Sequence, residues 1–380
     1  MTKKILIEDA IKICLERHIP FCCFRMPFSD KLAMIVQNNA ECDKYTSVSH
    51  IINNPCKGFV AVPFDKGPVL FLREDFRIET SASKETAEFL LKSKFEVSEK
   101  QTETSTSCMT KTEYLQRAGK FIDKIKNGEV DKLVFARPLA TGREGADLLA
   151  IFKQLSDKYP ETFVYWLNVP SECIWIGATP ECFLKREKST ISTVALAGTT
   201  QTTDSIKWSD KNKREQNFVT DFLTNIFNEA GCISWKKSQP HTVKAGALSH
   251  IRTDFCATVP DNFDIAQLIE KMHPTPAVCG TPKDVAKKII IKGEGFDREY
   301  YSGIIGTTDG PESLDLFVNL RCMKVQKDKF VLFAGGGITS ESTAEDEWNE
   351  TELKAQTLLS VIKNIKQNKN ICLHFSFYML

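Results

Sequence analysis

Across 380 residues the charges nearly cancel, 50 Lys and Arg against 49 Asp and Glu, for a formal charge of +1. The chain therefore lacks the positive surplus with which nucleic-acid binders and polybasic membrane-surface proteins attract their partners. It has no apolar run near the ~20 residues that cross a bilayer; the longest candidates are broken by Lys, Asp or Gly. Cysteine is plentiful at 13, yet C-x-x-C spacing is absent, which excludes a zinc ribbon or a thioredoxin-type redox pair. The count is odd, and the start MTKKILIEDAIKICLERH has no uninterrupted apolar stretch followed by a small-residue cleavage site. Both features predict a reduced, cytoplasmic protein whose cysteines pack as small hydrophobes. Histidine is scarce, and His241, His250 and His273 stand on different segments with no metal-ligand spacing. Also missing are G-x-G-x-x-G, P-loop and G-x-S-x-G motifs and any repeat of 20 to 50 residues. Their absence removes dinucleotide, NTPase, serine-hydrolase and solenoid readings. What is left is a chain suited to a small or modestly charged ligand.

Hydrophobic periodicity predicts a helix from Glu8 to Arg17, strands at FCCFRM and KGFVAVPF, and a polar loop or boundary at residues 98–112. A helix from Lys111 to about Asn127, the strand VDKLVFARPLA and a helix from Leu148 to Lys158 follow. Next come strands at TFVYWLNV, CIWIGAT and TISTVALAG and a long helix from Ser209 to about Ala230. Later segments read as a strand KAGALSHIRTDFCATV, helices near 262–272 and 282–291, and strands YYSGIIGTT, LDLFVNLRCMKV and KFVLFAGGGI. A last helix runs from Ala344 to about Lys366. Several strands succeed one another without intervening helices, so an α+β chain with large antiparallel sheets is expected rather than a βαβ-wound one.

Three groups of residues could carry chemistry. Lys132, in VDKLVFAR, shares a strand face with Val134 and Ala136 by period-2 alternation. An ammonium on an apolar face is disfavoured by desolvation, which makes a neutral, basic amine accessible; a strand lysine that snorkels to solvent fits the same pattern. Glu181 follows a Thr-Pro turn in IGATPECFL, where burial would let it hold a proton to donate to a leaving oxygen. A solvated turn residue is the other reading. In EDEWNETELK, Glu347, Glu350 and Lys354 can share one helix face. With Glu215 from SDKNKREQNF they offer oxygen ligands suited to Mg²⁺, although ordinary ion pairs account for either helix alone. The run AGGGITSEST just upstream adds glycines that let backbone N–H groups approach an anion.

The order of these pieces resembles the chorismate-utilising enzymes. VDKLVFAR, IGATPECF, LAGT, the KREQ helix, LSHIRT, MHPTPAVCGTP, FDREYYSGIIG, NLRCMKV, FAGGGI and EWNETELK follow one another as in that superfamily, across about residues 112–365. The family includes isochorismate synthase, salicylate synthase, anthranilate synthase component I and aminodeoxychorismate synthase. The resemblance implies one large α+β domain of the anthranilate synthase component I-like fold: two antiparallel sheets packed as a sandwich with flanking helices. Residues 1–105 would form its divergent N-terminal part, 106–370 the chorismate-binding catalytic region and 371–380 a tail.

It also implies roles. Lys132 resembles the base that activates water, and Glu181 the acid that protonates the departing C4 hydroxyl. Glu215 and Glu350 resemble direct Mg²⁺ ligands, with Glu347 acting through water. Arg321 and Lys354 resemble carboxylate binders; Tyr301, Gly335, Gly336 and Gly337 would line the same anion pocket, and Gly198, His250, Ala277 and Val278 its walls. Members with a lysine nucleophile carry it where this chain has Ala197, and members that use ammonia need no lysine at position 132. Lys132 together with Ala197 therefore implies water as nucleophile and isochorismate as product, with salicylate formation the alternative. The expected partner is chorismate alone, on a monomer without a glutaminase subunit, in menaquinone or siderophore biosynthesis. Asn212, Gln216 and Thr200 depart from the family pattern, which bears on rate and metal affinity.

Overall fold

The structure, a computed structural model, describes residues 4–54, 56–96, 108–203, 205–246 and 248–377. Residues 98–107 of the expected polar loop and the last three of the expected tail lie outside the described residues.

Two antiparallel sheets face each other. The first orders its strands Gly280–Thr281, Lys132–Gly142, Lys329–Ile338, Cys322–Val325, Cys173–Thr179, Phe163–Val169, Phe21–Arg25, Leu32–Val36 and Phe76–Ile78. The second orders Ser234–Lys237, Leu248–Thr258, Thr190–Gln201, Cys182–Glu187, Ser313–Val318, Ile304–Asp309, Lys57–Val62, Val69–Arg73 and Asp43–Tyr45, with His241–Ala245 also paired to Leu248–Thr258. Strands from the first hundred residues thus complete both sheets.

Alternation along the strands decides which residues face which layer. In Phe163–Val169, Phe163, Tyr165 and Leu167 join Phe59, Trp175, Phe317 and Phe333 in the core between the sheets. Val164 and Trp166 point the other way, onto Ile11, Phe152 and Leu358 of the covering helices. Helices Asp210–Glu229 and Ile265–Met272 cover the second sheet, Val219, Leu223 and Ile269 packing on Leu184, Ile191 and Ala195. The helix Lys111–Lys126 opens with a capping box between Thr110 and Glu113 and buries Tyr114, Ala118, Phe121, Ile122 and Ile125 along one stripe. The expected α+β sandwich with helices outside is the observed fold.

Two expected strands are each divided. KAGALSHIRTDFCATV turns back on itself at Gly246, whose φ of +62° supplies the left-handed conformation of a tight hairpin, so His241–Ala245 pairs with Leu248–Thr258. LDLFVNLRCMKV leaves one sheet after Val318 and enters the other at Cys322, the chain swinging at Arg321 with φ +48°. Apolar alternation continues through this crossing, which is why periodicity reads it as a single strand. The strand expected at YYSGIIGTT begins only at Ile304, and the last helix runs from Ala344 to Phe377. Among the described residues no helix is long and apolar enough to cross a membrane.

Candidate active site

Two crossings between the sheets build one end of a cavity. At the first, Cys173–Thr179 hands over to Cys182–Glu187 through Pro180 and Glu181; at the second, Ser313–Val318 hands over to Cys322–Val325 through Leu320 and Arg321. The crossings are tied to each other: Val318 N–H donates to the Glu181 carbonyl at 3.0 Å, Thr179 Oγ1 donates to the Val318 carbonyl at 2.6 Å, and Ala178 N–H donates to the Arg321 carbonyl at 3.0 Å. Backbone bonds of this kind hold both side chains on rigid elements, as a reacting centre requires.

The cavity is lined by Glu181, Gly198, Glu215, His250, Ala277, Val278, Tyr301, Arg321, Gly335, Gly336, Gly337 and Lys354 from the expected set, with Val134, Pro180, Thr199, Leu320 and Phe333 among others. Lys132, Glu347 and Glu350 stand behind this lining. Lys132 is fully buried, its Nζ 3.2 Å from Glu215 Oε1 without the geometry of a hydrogen bond.

Glycine is required on the floor because helical carboxylates lie directly on the strand Lys329–Ile338. A Cβ on Gly337 would stand 2.0 Å from Glu215 Oε1 and 3.1 Å from Lys132 Cε; one on Gly336 would stand 2.7 Å from Glu347 Oε2 and 3.4 Å from Glu350 Oε1. On Gly335 it would meet Tyr301 Oη at 3.0 Å. Arg137 fixes the helix that carries the carboxylates. Its guanidinium lies 3.7 Å from the Trp348 ring centroid, Nε donates to Thr351 Oγ1 at 2.8 Å, and the group also pairs with Glu352.

Each carboxylate of the acidic group has a lysine. Glu215 faces Lys132, Glu350 meets Lys354 Nζ at 2.6 Å, and Glu347 Oε1 accepts from Lys211 Nζ and Ser342 Oγ, both at 2.6 Å. Lys354 also donates to the Gly335 carbonyl at 2.8 Å. Burial and the neighbouring Glu350 charge push the Glu347 carboxyl up, while Lys354, Lys211 and Arg321 outweigh burial at Glu350 and hold it below its ordinary value. Burial pushes Glu181 up to about 8 against the opposing pull of Lys132 and Lys354. His250 is held down to about 3 by burial, then by Arg321 and Lys354, with Nδ1 3.2 Å from the Gly198 carbonyl. It is a neutral wall residue. Arg321 Nη1 is buried without a hydrogen-bond partner, so the cavity presents a guanidinium edge suited to a carboxylate.

The acidic group also bears on magnesium. Mg²⁺ takes hard oxygen ligands and is commonly held by one or two carboxylates, its other positions left to water and substrate anions. Glu215, Glu347 and Glu350 supply only carboxylate oxygens, and Glu347 Oε2 is buried with no partner. This donor set fits. Among the described residues no group of three or more His, Cys, Asp or Glu side chains is placed to hold a metal ion; the fit is one of donor chemistry, with Glu215, Glu347 and Glu350 each turned to a lysine.

Sequence reasoning missed Lys211, which stands one turn before Glu215 in the helix of the quoted KREQ run. It also missed the Glu294–Arg298 pair, both residues 2% exposed. Arg298 donates to the Val278 and Val134 carbonyls at 2.8 Å, and Glu294 Oε1 accepts from Ala136 N–H at 2.8 Å, so the pair braces the strand that begins with Lys132. Gln216 points away from the cavity, its Nε2 donating to the Ala195 carbonyl at 3.0 Å under the sheet. Asn212 packs against Gly198, where a Cβ would lie 3.1 Å from its own.

The fold and the site define an α+β sandwich whose cavity sets the guanidinium edge of Arg321 and the buried carboxyl of Glu181 in one lining. The sequence pattern described as "chorismate binding enzyme" matches residues 70–363, more than three quarters of the chain, and the chain belongs to that family. Isochorismate synthase EntC of Escherichia coli (strain K12) is 28% identical over 244 residues, 61% of this chain and 62% of that relative. Isochorismate synthase MenF of Bacillus subtilis (strain 168) is 26% identical over 67% of this chain, which spans 56% of its length. The chain thus covers about three fifths of these curated relatives. The solved structure of MenF, the menaquinone-specific isochorismate synthase from Escherichia coli, superposes with a TM-score of 0.75 at 21% identity, over 90% of this chain and 88% of that one, and shows the same fold.

Proposed function

We propose that the chain is an isochorismate synthase, an isomerase that adds water at C2 of chorismate while the C4 hydroxyl departs. The observation that carries this reading is the buried Glu181 sharing a cavity with the unpaired guanidinium edge of Arg321, with the buried Lys132 behind the lining. Arg321 and Lys354 bind the two carboxylates. Lys132 takes a proton from the attacking water as a lone pair of its oxygen forms the C2–O bond; the C1=C2 π pair moves to C1=C6, the C5=C6 pair moves to C4=C5, and the C4–O bond breaks as Glu181 gives its proton to the leaving hydroxyl. One water enters and one leaves, so the product is an isomer of the substrate. Acid and base come from different elements, a sheet crossing and the strand Lys132–Gly142, which lets them address opposite sides of the ring.

Glu215 and Glu350 would hold Mg²⁺ directly and Glu347 through water, and the ion would neutralise a substrate carboxylate and orient the ring. Ala197 leaves no amine beside Gly198 to act as a competing nucleophile. The twelve cysteines whose side chains are described are free, which supports a reducing, cytoplasmic setting. The reading takes the protein as a monomer that needs no glutaminase, feeding menaquinone or siderophore synthesis.

Chromatography of products from chorismate and Mg²⁺, with and without ammonium, tests it. Isochorismate alone, indifferent to ammonium, supports the assignment. Salicylate with pyruvate would move the chain to the salicylate synthases, an ammonium-dependent aminated product would move it to the anthranilate-type enzymes, and no turnover at all would point to a silent homologue.

A further inference from the structure

Of the three lysines that face the acidic group, two have places in the proposed chemistry: Lys132 as base and Lys354 as carboxylate binder. Lys211 has none. It stands in the first turn of the helix Asp210–Glu229, and its partly exposed side chain reaches across to Glu347, which is fully buried on the facing helix. Its ammonium and Ser342 Oγ share Glu347 Oε1, and Glu347 Oε2 is left buried and unpartnered beside Gly336, on the side where Glu350 lies. A second, exposed ion pair, Arg214 to Glu341 at 3.1 Å, joins the helix of Lys211 to the loop that precedes the helix of Glu347.

The charges here are not balanced for a divalent ion. A cation drawn to Glu347 and Glu350 meets a positive charge already seated on each of them, Lys211 on Glu347 and Lys354 on Glu350, in a largely buried site. Two like charges a few ångströms apart in such a medium repel by several-fold more than in bulk solvent.

We propose that Lys211 is a positioning residue that sets the affinity of the Glu347 and Glu350 carboxylates for a divalent cation, by competing with the cation for Glu347. It keeps the buried carboxylate compensated and weakens cation binding by the same contact. The inference rests on the reading of the acidic group as the Mg²⁺ site and deepens it: cation affinity is held down by design of the first turn of one helix, not by a missing ligand.

The test is titration of the full chain with Mg²⁺ alone by calorimetry, repeated with Mn²⁺ by electron paramagnetic resonance, for wild type, Lys211→Met and Lys211→Arg. Removing the charge is expected to tighten cation binding by about tenfold or more. The Lys211→Arg variant, which keeps the charge, is expected to stay within about threefold of wild type. A purely structural tether would lower thermal stability on substitution and leave the affinity where it was. Equal or weaker binding by a folded Lys211→Met protein overturns the role of Lys211 while leaving the magnesium site standing. If neither wild type nor variant takes up either ion, the proposal and the magnesium site both fall, and turnover of chorismate by wild type still reports separately on the isomerase reading. Should Lys211→Met fail to fold, Lys211→Gln, which keeps a polar partner for Glu347, reads the same affinity change.

Discussion

Glu181 and Arg321 occupy two of the points at which the chain passes from one sheet to the other, and the backbone beside each is hydrogen-bonded to the other's crossing. Glu181, the proposed proton donor, and Arg321, the proposed carboxylate binder, therefore form one rigid unit, and their relation to a bound ring would depend on the sandwich itself rather than on a mobile loop.

Glu181→Gln is expected to lower kcat by roughly 10²- to 10⁴-fold, the usual range for a lost general acid, with little change in KM. Wild-type kcat should fall as the pH rises through about 8, where Glu181 loses its proton. Steady-state kinetics over pH 6–9.5 check both; activity of the Gln variant equal to wild type would remove Glu181 from the chemistry.

The same shift has a stability consequence. The carboxyl is harder to ionise folded than unfolded, so its contribution is fully present below about pH 4.5 and is lost as pH rises through about 8. Thermal unfolding should show Glu181→Gln gaining on wild type between pH 5 and 8.5. A constant difference across that interval would mean that Glu181 is already ionised in the fold.

Gly337→Ala places a methyl group 2.0 Å from Glu215 Oε1 and 3.1 Å from Lys132 Cε. Overpacking should cost about 1–3 kcal/mol of stability, and displacement of Glu215 should reduce turnover far more than that loss explains. Chemical denaturation paired with activity of the folded fraction separates the two effects.

Arg298→Ala strips a buried Glu294 of its partner and leaves the Val134 and Val278 carbonyls without their donor. Breaking a buried pair from one side costs about 3–5 kcal/mol, readable as a lowered denaturation midpoint. The double variant Arg298→Met with Glu294→Leu should recover part of that loss, since no uncompensated charge remains.

Much of this architecture is legible in the sequence because periodicity carries it. Strand and helix types follow from alternation and apolar stripes, as in Phe163–Val169 and Lys111–Lys126. The chemistry is legible less directly. Lys132 and Glu181 are ambiguous as isolated residues, since a snorkelling lysine and a solvated turn glutamate have the same local sequence; the resemblance to the chorismate-utilising enzymes supplies their expected roles, and burial in the fold supplies the physical reason. The sheet crossings at Glu181 and Arg321 are not legible, because apolar alternation continues across LDLFVNLRCMKV while the chain changes sheets. Lys211 escapes for a related reason: its partner Glu347 is 136 residues away, and no local pattern encodes a contact at that separation.

The central claim is that water, activated by Lys132, becomes the new oxygen at C2 as the C4 hydroxyl leaves. Turnover of chorismate in ¹⁸O-labelled water, with the isolated isochorismate analysed by mass spectrometry, measures this directly. The account predicts one ¹⁸O atom per molecule of product, located at C2. Isochorismate that keeps only the oxygens of the starting chorismate would contradict it.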